Sequence, residues 1–178
     1  MKPPERLVTQ RLNLRIPSSE DAEAIFKTYA QDDEVTKYLI WKPHQNIEQT
    51  QEFLQRCLTV WKEALAYPWI IEEKNSLKLL GMIETHIEDY KADIGYVLAR
   101  KYWGQGYMTE AAEAVVNYLK SLDQIYRVWA VCDVENLASA RLLEKIGMQR
   151  EGILKRWIIL PNVSSKPRDC YCYATTKL

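Results

Sequence analysis

Tyr102-Trp103-Gly104-Gln105-Gly106-Tyr107-Met108-Thr109-Glu110-Ala111 is the stretch on which the reading of this chain turns. It joins a strand-like run ending near Leu98 to the helical spacing of Met108, Ala111, Ala112, Val115 and Leu119. Two glycines one residue apart let the backbone approach a ligand and turn successive N–H groups inward, and the free N–H groups of a helix start add about half a positive charge. Taken alone, the segment reads either as a tight turn or as a nest for a pyrophosphate. It lacks the Lys-Ser/Thr of a nucleotide P-loop and the third glycine of a dinucleotide fingerprint.

Upstream of this bend, Leu7 to Ile16 alternates Arg11, Asn13 and Arg15 with Leu12, Leu14 and Ile16, which predicts one half-buried strand ended by Pro17. Ser18 and Ser19 precede an acidic turn, and Ala22, Ile25, Phe26 and Tyr29 recur at the spacing of an amphipathic helix. Asn46 is the predicted cap of a second helix striped by Ile47, Thr50, Leu54, Cys57, Leu58 and Trp61. Trp69 to Glu72, Lys78 to His86 and Asp93 to Leu98 then read as three consecutive antiparallel strands, because the connections between them are too short for a crossover.

Downstream, Val128 to Cys132 is a predicted buried strand, and Leu142, Leu143 and Ile146 lie on a helix closed by Gly147 in the left-handed position. Ile153 to Leu160 and Arg168 to Thr175 complete the strands. No repeat or linker interrupts this order, so residues 1–178 are expected to form a single mixed-sheet α/β domain.

Twenty-four Lys and Arg balance twenty-four Asp and Glu, so no net charge draws the chain onto nucleic acid or an anionic membrane. No stretch has the apolar length of a signal peptide or a membrane helix, which predicts a cytoplasmic protein with neither nucleic-acid nor membrane partner. Cys57, Cys132, Cys170 and Cys172 are irregularly spaced and suit reduced thiols. With only His44 and His86 to add imidazole, no metal is expected.

A second segment, Asn136-Leu137-Ala138-Ser139-Ala140-Arg141-Leu142-Leu143-Glu144-Lys145-Ile146-Gly147-Met148, follows the strand Val128 to Cys132. Asn136 reads as a helix cap or as an amide presented to a ligand arm, and Ser139 lies one turn further on. In this order the two segments resemble the GNAT superfamily of acetyltransferases. The surrounding chain resembles its RimJ/RimL-type protein N-acetyltransferases: Thr9-Gln10-Arg11-Leu12-Asn13-Leu14-Arg15, Asp21-Ala22, Leu80-Gly81-Met82-Ile83, Asp93-Ile94-Gly95-Tyr96-Val97-Leu98, Arg127-Val128, Glu151-Gly152 and Arg168-Asp169.

The resemblance implies a twisted, largely antiparallel sheet of about seven strands, parted between the fourth and fifth and flanked by about four helices. It implies acetyl-CoA as co-substrate. Its pantetheine arm would lie beside Val97, Leu98 and Ala99, with a backbone N–H near Val97 or Leu98 facing the oxyanion. The pyrophosphate would rest on the N–H groups of Trp103, Gly104, Gln105, Gly106, Tyr107, Met108 and Thr109, with Asn136 bonding the pantetheine and Ser139 facing the sulfur. Two positions depart from the pattern: Lys101, with Arg100 adjacent, stands where Gln or Arg is frequent, and Leu143 stands where many of these enzymes carry a tyrosine acid.

A thioester is already activated, so direct transfer needs positioning, oxyanion stabilisation and the handling of two protons rather than a nucleophilic cysteine. Ser139 is the expected partner of the departing thiolate, and Glu84 is preferred to Asp93 as base. The acceptor is expected to be an amine, a peptide N-terminus before a small molecule, met on the loops Trp41 to Asn46 and Pro161 to Pro167, by a monomer or homodimer. A non-catalytic acyl-CoA-binding module is the alternative from a different class.

Overall fold

The computed structural model describes residues 2–177 and builds them around one eight-stranded sheet in the order β1-β2-β3-β4-β5-β6-β8-β7. The strands are β1 (Arg6–Val8), β2 (Leu12–Arg15), β3 (Tyr67–Glu73), β4 (Leu79–Glu88), β5 (Lys91–Leu98), β6 (Arg127–Asp133), β7 (Gln149–Ile158) and β8 (Arg168–Thr176). The α-helices are α1 (Ala22–Ile25), α2 (Asp33–Thr36), α3 (Ile47–Lys62), α4 (Tyr107–Ser121) and α5 (Leu137–Lys145). Burial follows the expected apolar stripes. Leu54, Cys57 and Trp61 of α3 are buried, and Met108, Ala111, Ala112, Val115, Val116 and Leu119 of α4 are buried.

The sheet has an apolar core on each face. Ala22, Ile25 and Tyr29 pack with Leu54 and Cys57 of α3 against Ile70, Met82 and Ala99. The buried face of α4, with Ala140 and Leu143 of α5, packs against Leu12, Leu14, Ile71, Ile83, Val128 and Ala130. Alternation along β5 therefore sends Val97 to the first core and Ile94, Tyr96 and Leu98 to the second.

Two expectations are corrected at the amino end. Leu7 to Ile16 is not one strand but a hairpin, in which Leu7 faces Leu14 and the chain reverses at Thr9 to Arg11. No Gly, Pro, Asn or Asp marks that reversal; the Thr9 hydroxyl accepts from the Leu12 N–H at 2.9 Å and fixes it. The extra strand raises the count to eight and moves the parting to the fifth and sixth strands. The first amphipathic helix is likewise broken into a 3₁₀ turn Ser19–Asp21, α1 and a π-helical turn Phe26–Ala30. Its start is fixed from outside by the fork of Arg15 on buried Asp21, at 2.7 and 2.9 Å.

Each adjacent pair is antiparallel except β5 with β6, which is parallel and pairs only Lys91 to Asp93 with Arg127 to Trp129. Beyond Asp93 no register joins the two strands, and a gap opens toward their carboxyl ends. On its other side β5 stays fully paired to β4, where a Cβ on Gly81 would lie 2.1 Å from the Val97 carbonyl oxygen. Gly81→Ala therefore forces backbone from backbone, and the chain should lose about 3 kcal/mol of stability, at the upper end of overpacking costs; chemical denaturation of the two proteins checks this.

Candidate active site

The gap offers unpaired backbone, and strand parity decides which residues supply it. The Ala99 N–H donates to the Leu80 carbonyl at 2.9 Å, and the Tyr90 carbonyl accepts across to β6 from the Tyr126 N–H at 2.8 Å. Odd residues of β5 thus turn their peptide groups to β4, and even residues turn theirs to the gap. The groups of Tyr96 and Leu98 face the opening. Those of Val97 and Ala99 do not, which corrects the expectation that these two bond the pantetheine arm; the Ala99 carbonyl is itself taken by the Tyr102 N–H at 2.9 Å.

The bend behaves as a donor cluster. Gly104 and Gly106 hold φ of 73° and 77°, and the first intrahelical bond runs from the Glu110 N–H to the Gly106 carbonyl at 3.0 Å. Among the described residues no acceptor is found for the backbone N–H groups of Gly104, Gln105, Gly106, Tyr107, Met108 and Thr109. Six successive unsatisfied donors at a helix start form an anion site. Trp103 is the exception to the expected run, because its N–H is spent on the Arg100 carbonyl at 3.1 Å and its indole N–H donates to the Leu98 carbonyl at 2.7 Å.

The charges around the bend were only partly legible. Arg100 turns away to Asp32 at 3.1 Å, and Lys101 lies over the Tyr102 ring at 4.9 Å. The cation at the loop is Arg11, from the hairpin that the sequence reading took for plain strand. Its guanidinium donates to the Gln105 carbonyl at 3.0 Å, covers the Tyr107 ring at 4.4 Å and meets Glu110 at 2.6 Å. Glu110 also accepts from the Thr9 hydroxyl at 2.6 Å and the Arg11 N–H at 2.7 Å. Burial opposes ionisation of Glu110, but these donors outweigh it and hold its carboxyl below the ordinary value. The hairpin thereby draws the Gln105 carbonyl toward itself.

Asn136 is the cap of α5: its side-chain oxygen accepts from the Ser139 N–H at 3.2 Å, which leaves the amide nitrogen free to donate. Ser139 lies across the gap from β5, its hydroxyl 2.7 Å from that of Tyr96. The motifs did not bring Tyr96 to this place; its even position in β5, on the face that carries α4 and α5, was the available signal. Leu143 is fully buried in the core.

Glu84 lies on the opposite face, across from Gly95 in the β4–β5 register. Burial raises its pKa above the usual 4.5, opposed by His86 and assisted by Asp93. Its carboxylate has no hydrogen-bond partner among the described residues, whereas Asp93 is occupied by the His86 ring at 3.1 Å. The two expected acceptor loops are tied together, since the Asn162 amide donates to the carbonyls of Thr36 at 2.7 Å and Trp41 at 2.8 Å. Trp41, His44 and Phe53 cluster beside them with ring centroids 5.0 to 6.2 Å apart, while Trp157 is exposed.

A parted parallel pair, a donor-rich bend at a helix start and a second capped helix facing the gap are the parts of an acyl-CoA transferase. Residues 11–149 match the family model of the acetyltransferase (GNAT) domain, and the chain belongs to that family. It is 34% identical over 174 residues to the N-acetyltransferase YoaA of Bacillus subtilis, covering 96% of each chain. It is 25% identical over 167 residues to the ribosomal protein uS5-alanine N-acetyltransferase of Escherichia coli, covering 89% of this chain and 85% of that one. A GNAT-family acetyltransferase from Bacillus anthracis superposes with a TM-score of 0.83 at 30% identity, covering 96% of this chain and 98% of that one. The chain is thus an N-acetyltransferase of the GNAT type, with the RimJ/RimL-type enzymes among its relatives.

Gly106→Val puts a branched side chain at a left-handed φ, 3.4 Å from Arg11, and twists the donors from their common target. The affinity for CoA, measured by calorimetry, should fall by about tenfold or more, the equivalent of losing one charge-assisted hydrogen bond.

Proposed function

We propose that this enzyme transfers acetyl from acetyl-CoA directly to the α-amine of a peptide or protein N-terminus. The observation that carries the donor half of this reading is the row of six free N–H groups at the start of α4, beside the gap-facing peptide groups of Tyr96 and the Leu98 N–H. The pyrophosphate rests on that row, and the pantetheine arm adds to the free edge of β5 as an extra strand. Asn136 bonds the arm through its free amide hydrogens. The thioester carbonyl then meets the Leu98 N–H, placed to stabilise the oxyanion.

The acceptor approaches from the Glu84 side, between the loops that Asn162 ties. Proton economy favours an α-amine: at pH 7 it costs about 1 kcal/mol to neutralise, against about 4.6 for a lysine. One half-buried carboxylate, directly or through water, suffices for the first and is weak machinery for the second. Glu84 takes the ammonium proton, the neutral amine attacks, the C–S pair leaves with the CoA sulfur toward Ser139, and the second proton of the attacking nitrogen passes to solvent water, which returns one to the thiolate. The likeness to the uS5-alanine enzyme supports the same acceptor class.

Two measurements test this. Labelled acetyl transfer to a panel of N-terminal peptides, polyamines and amino sugars should favour the peptides, and a clear preference for a small amine would replace the acceptor assigned here. Because burial raises the Glu84 pKa, its base form is lost as pH falls through a value above 4.5. The acid limb of kcat/KM should report that group, and Glu84→Gln should remove the limb and lower the rate by about a hundredfold, the low end of general-base contributions.

A further inference from the structure

Loss of the thiolate needs a donor at the sulfur, and on this chain the position expected to provide a phenol is Leu143, which is apolar and fully buried. A phenol nevertheless reaches the site from the other wall. Tyr96, on the parted stretch of β5, brings its hydroxyl 2.7 Å from the Ser139 hydroxyl on α5, so that the pair spans the gap in which the acyl carrier is placed.

We infer that Tyr96 is the positioning residue for Ser139: its O–H donates to the Ser139 oxygen and so commits the single Ser139 proton to the sulfur of the departing CoA. This rests on the assignment of Ser139 to the thiolate made above. Hydrogen-bond inventory gives the direction. Ser139 has one proton, and if it were given to the Tyr96 oxygen none would remain for the sulfur. Burial pushes the Tyr96 phenol well above its ordinary value, so it keeps its proton and serves as a donor rather than as an acid.

As the tetrahedral intermediate collapses, the C–S bond breaks, its electron pair goes to sulfur, and the thiolate leaves under the Ser139 hydrogen bond. Thiols titrate near 8.5, far below serine or a buried tyrosine, so Ser139 and Tyr96 retain their protons and the free thiolate is protonated by water.

The test is a double-mutant cycle on the intact protein, with thiol release from acetyl-CoA as the readout. It is run with the best amine and again with water as sole acceptor, so that a wrong acceptor spoils only the first series. Tyr96→Phe should lower kcat about tenfold with the KM for acetyl-CoA within about twofold, as expected for a contact made in the transition state. In a Ser139→Ala background the same change should cost nothing further. Ser139→Thr, which keeps the hydroxyl, should retain activity while Tyr96 is present and lose it when combined with Tyr96→Phe. Multiplying losses in the cycle, or an unaltered kcat for Tyr96→Phe, would overturn the inference. If Ser139→Ala turns over like the parent, it is the assignment of Ser139 itself that falls.

Discussion

The junction on which the molecule depends is the parallel contact of β5 with β6, three residues long and then abandoned. A sheet that stays paired satisfies its own backbone; one that parts leaves N–H and C=O groups facing an opening, and those groups require a partner. Here the parting is one-sided. β5 holds β4 along its whole length, tightly enough that Gly81 admits no Cβ, while β6 holds β8. The opening is therefore bounded on each side by a paired ladder, β4–β5 and β6–β8. The chemistry follows from this geometry. α4 starts at one end of the gap and points its free donors toward it, and α5 faces it with Ser139.

Much of this was legible along the chain, for reasons that can be stated residue by residue. The stripes of α3 and α4, the three short-linked strands from β3 to β5, the Asn136 cap and the left-handed Gly147 are local signals written in adjacent residues. What escaped is what long-range contact decides. The β1–β2 reversal has no turn residue because Thr9 makes the turn with its own hydroxyl and shares Glu110 from a distant helix. The start of the broken first helix is likewise held by Arg15, which forks onto Asp21 from the hairpin.

At the site the same division holds. The glycine bend lies between β5 and α4, and Asn136 and Ser139 lie at the start of α5, because motif order along the chain carries placement. Backbone direction does not survive such transfer, since one residue of parity exchanges Val97 and Ala99 for Tyr96 and Leu98. Nor do side-chain partnerships: Arg100 was the nearer cation in sequence, yet Arg11 reaches the bend. Asn162 gave no signal at all, because its two acceptors are main-chain carbonyls more than a hundred residues away.

The grip of Thr9 and Arg11 on Glu110 joins segments about a hundred residues apart. A nascent chain cannot complete the donor-rich bend until α4 has been synthesised and docked on the opening hairpin, so the bend in this form belongs to the fully folded molecule alone. Ligand affinity confined to one state is folding free energy: at a hundred times its dissociation constant, acetyl-CoA would add about 2.7 kcal/mol to the native form. A plentiful donor would then also lower the share of copies that are unfolded at any moment.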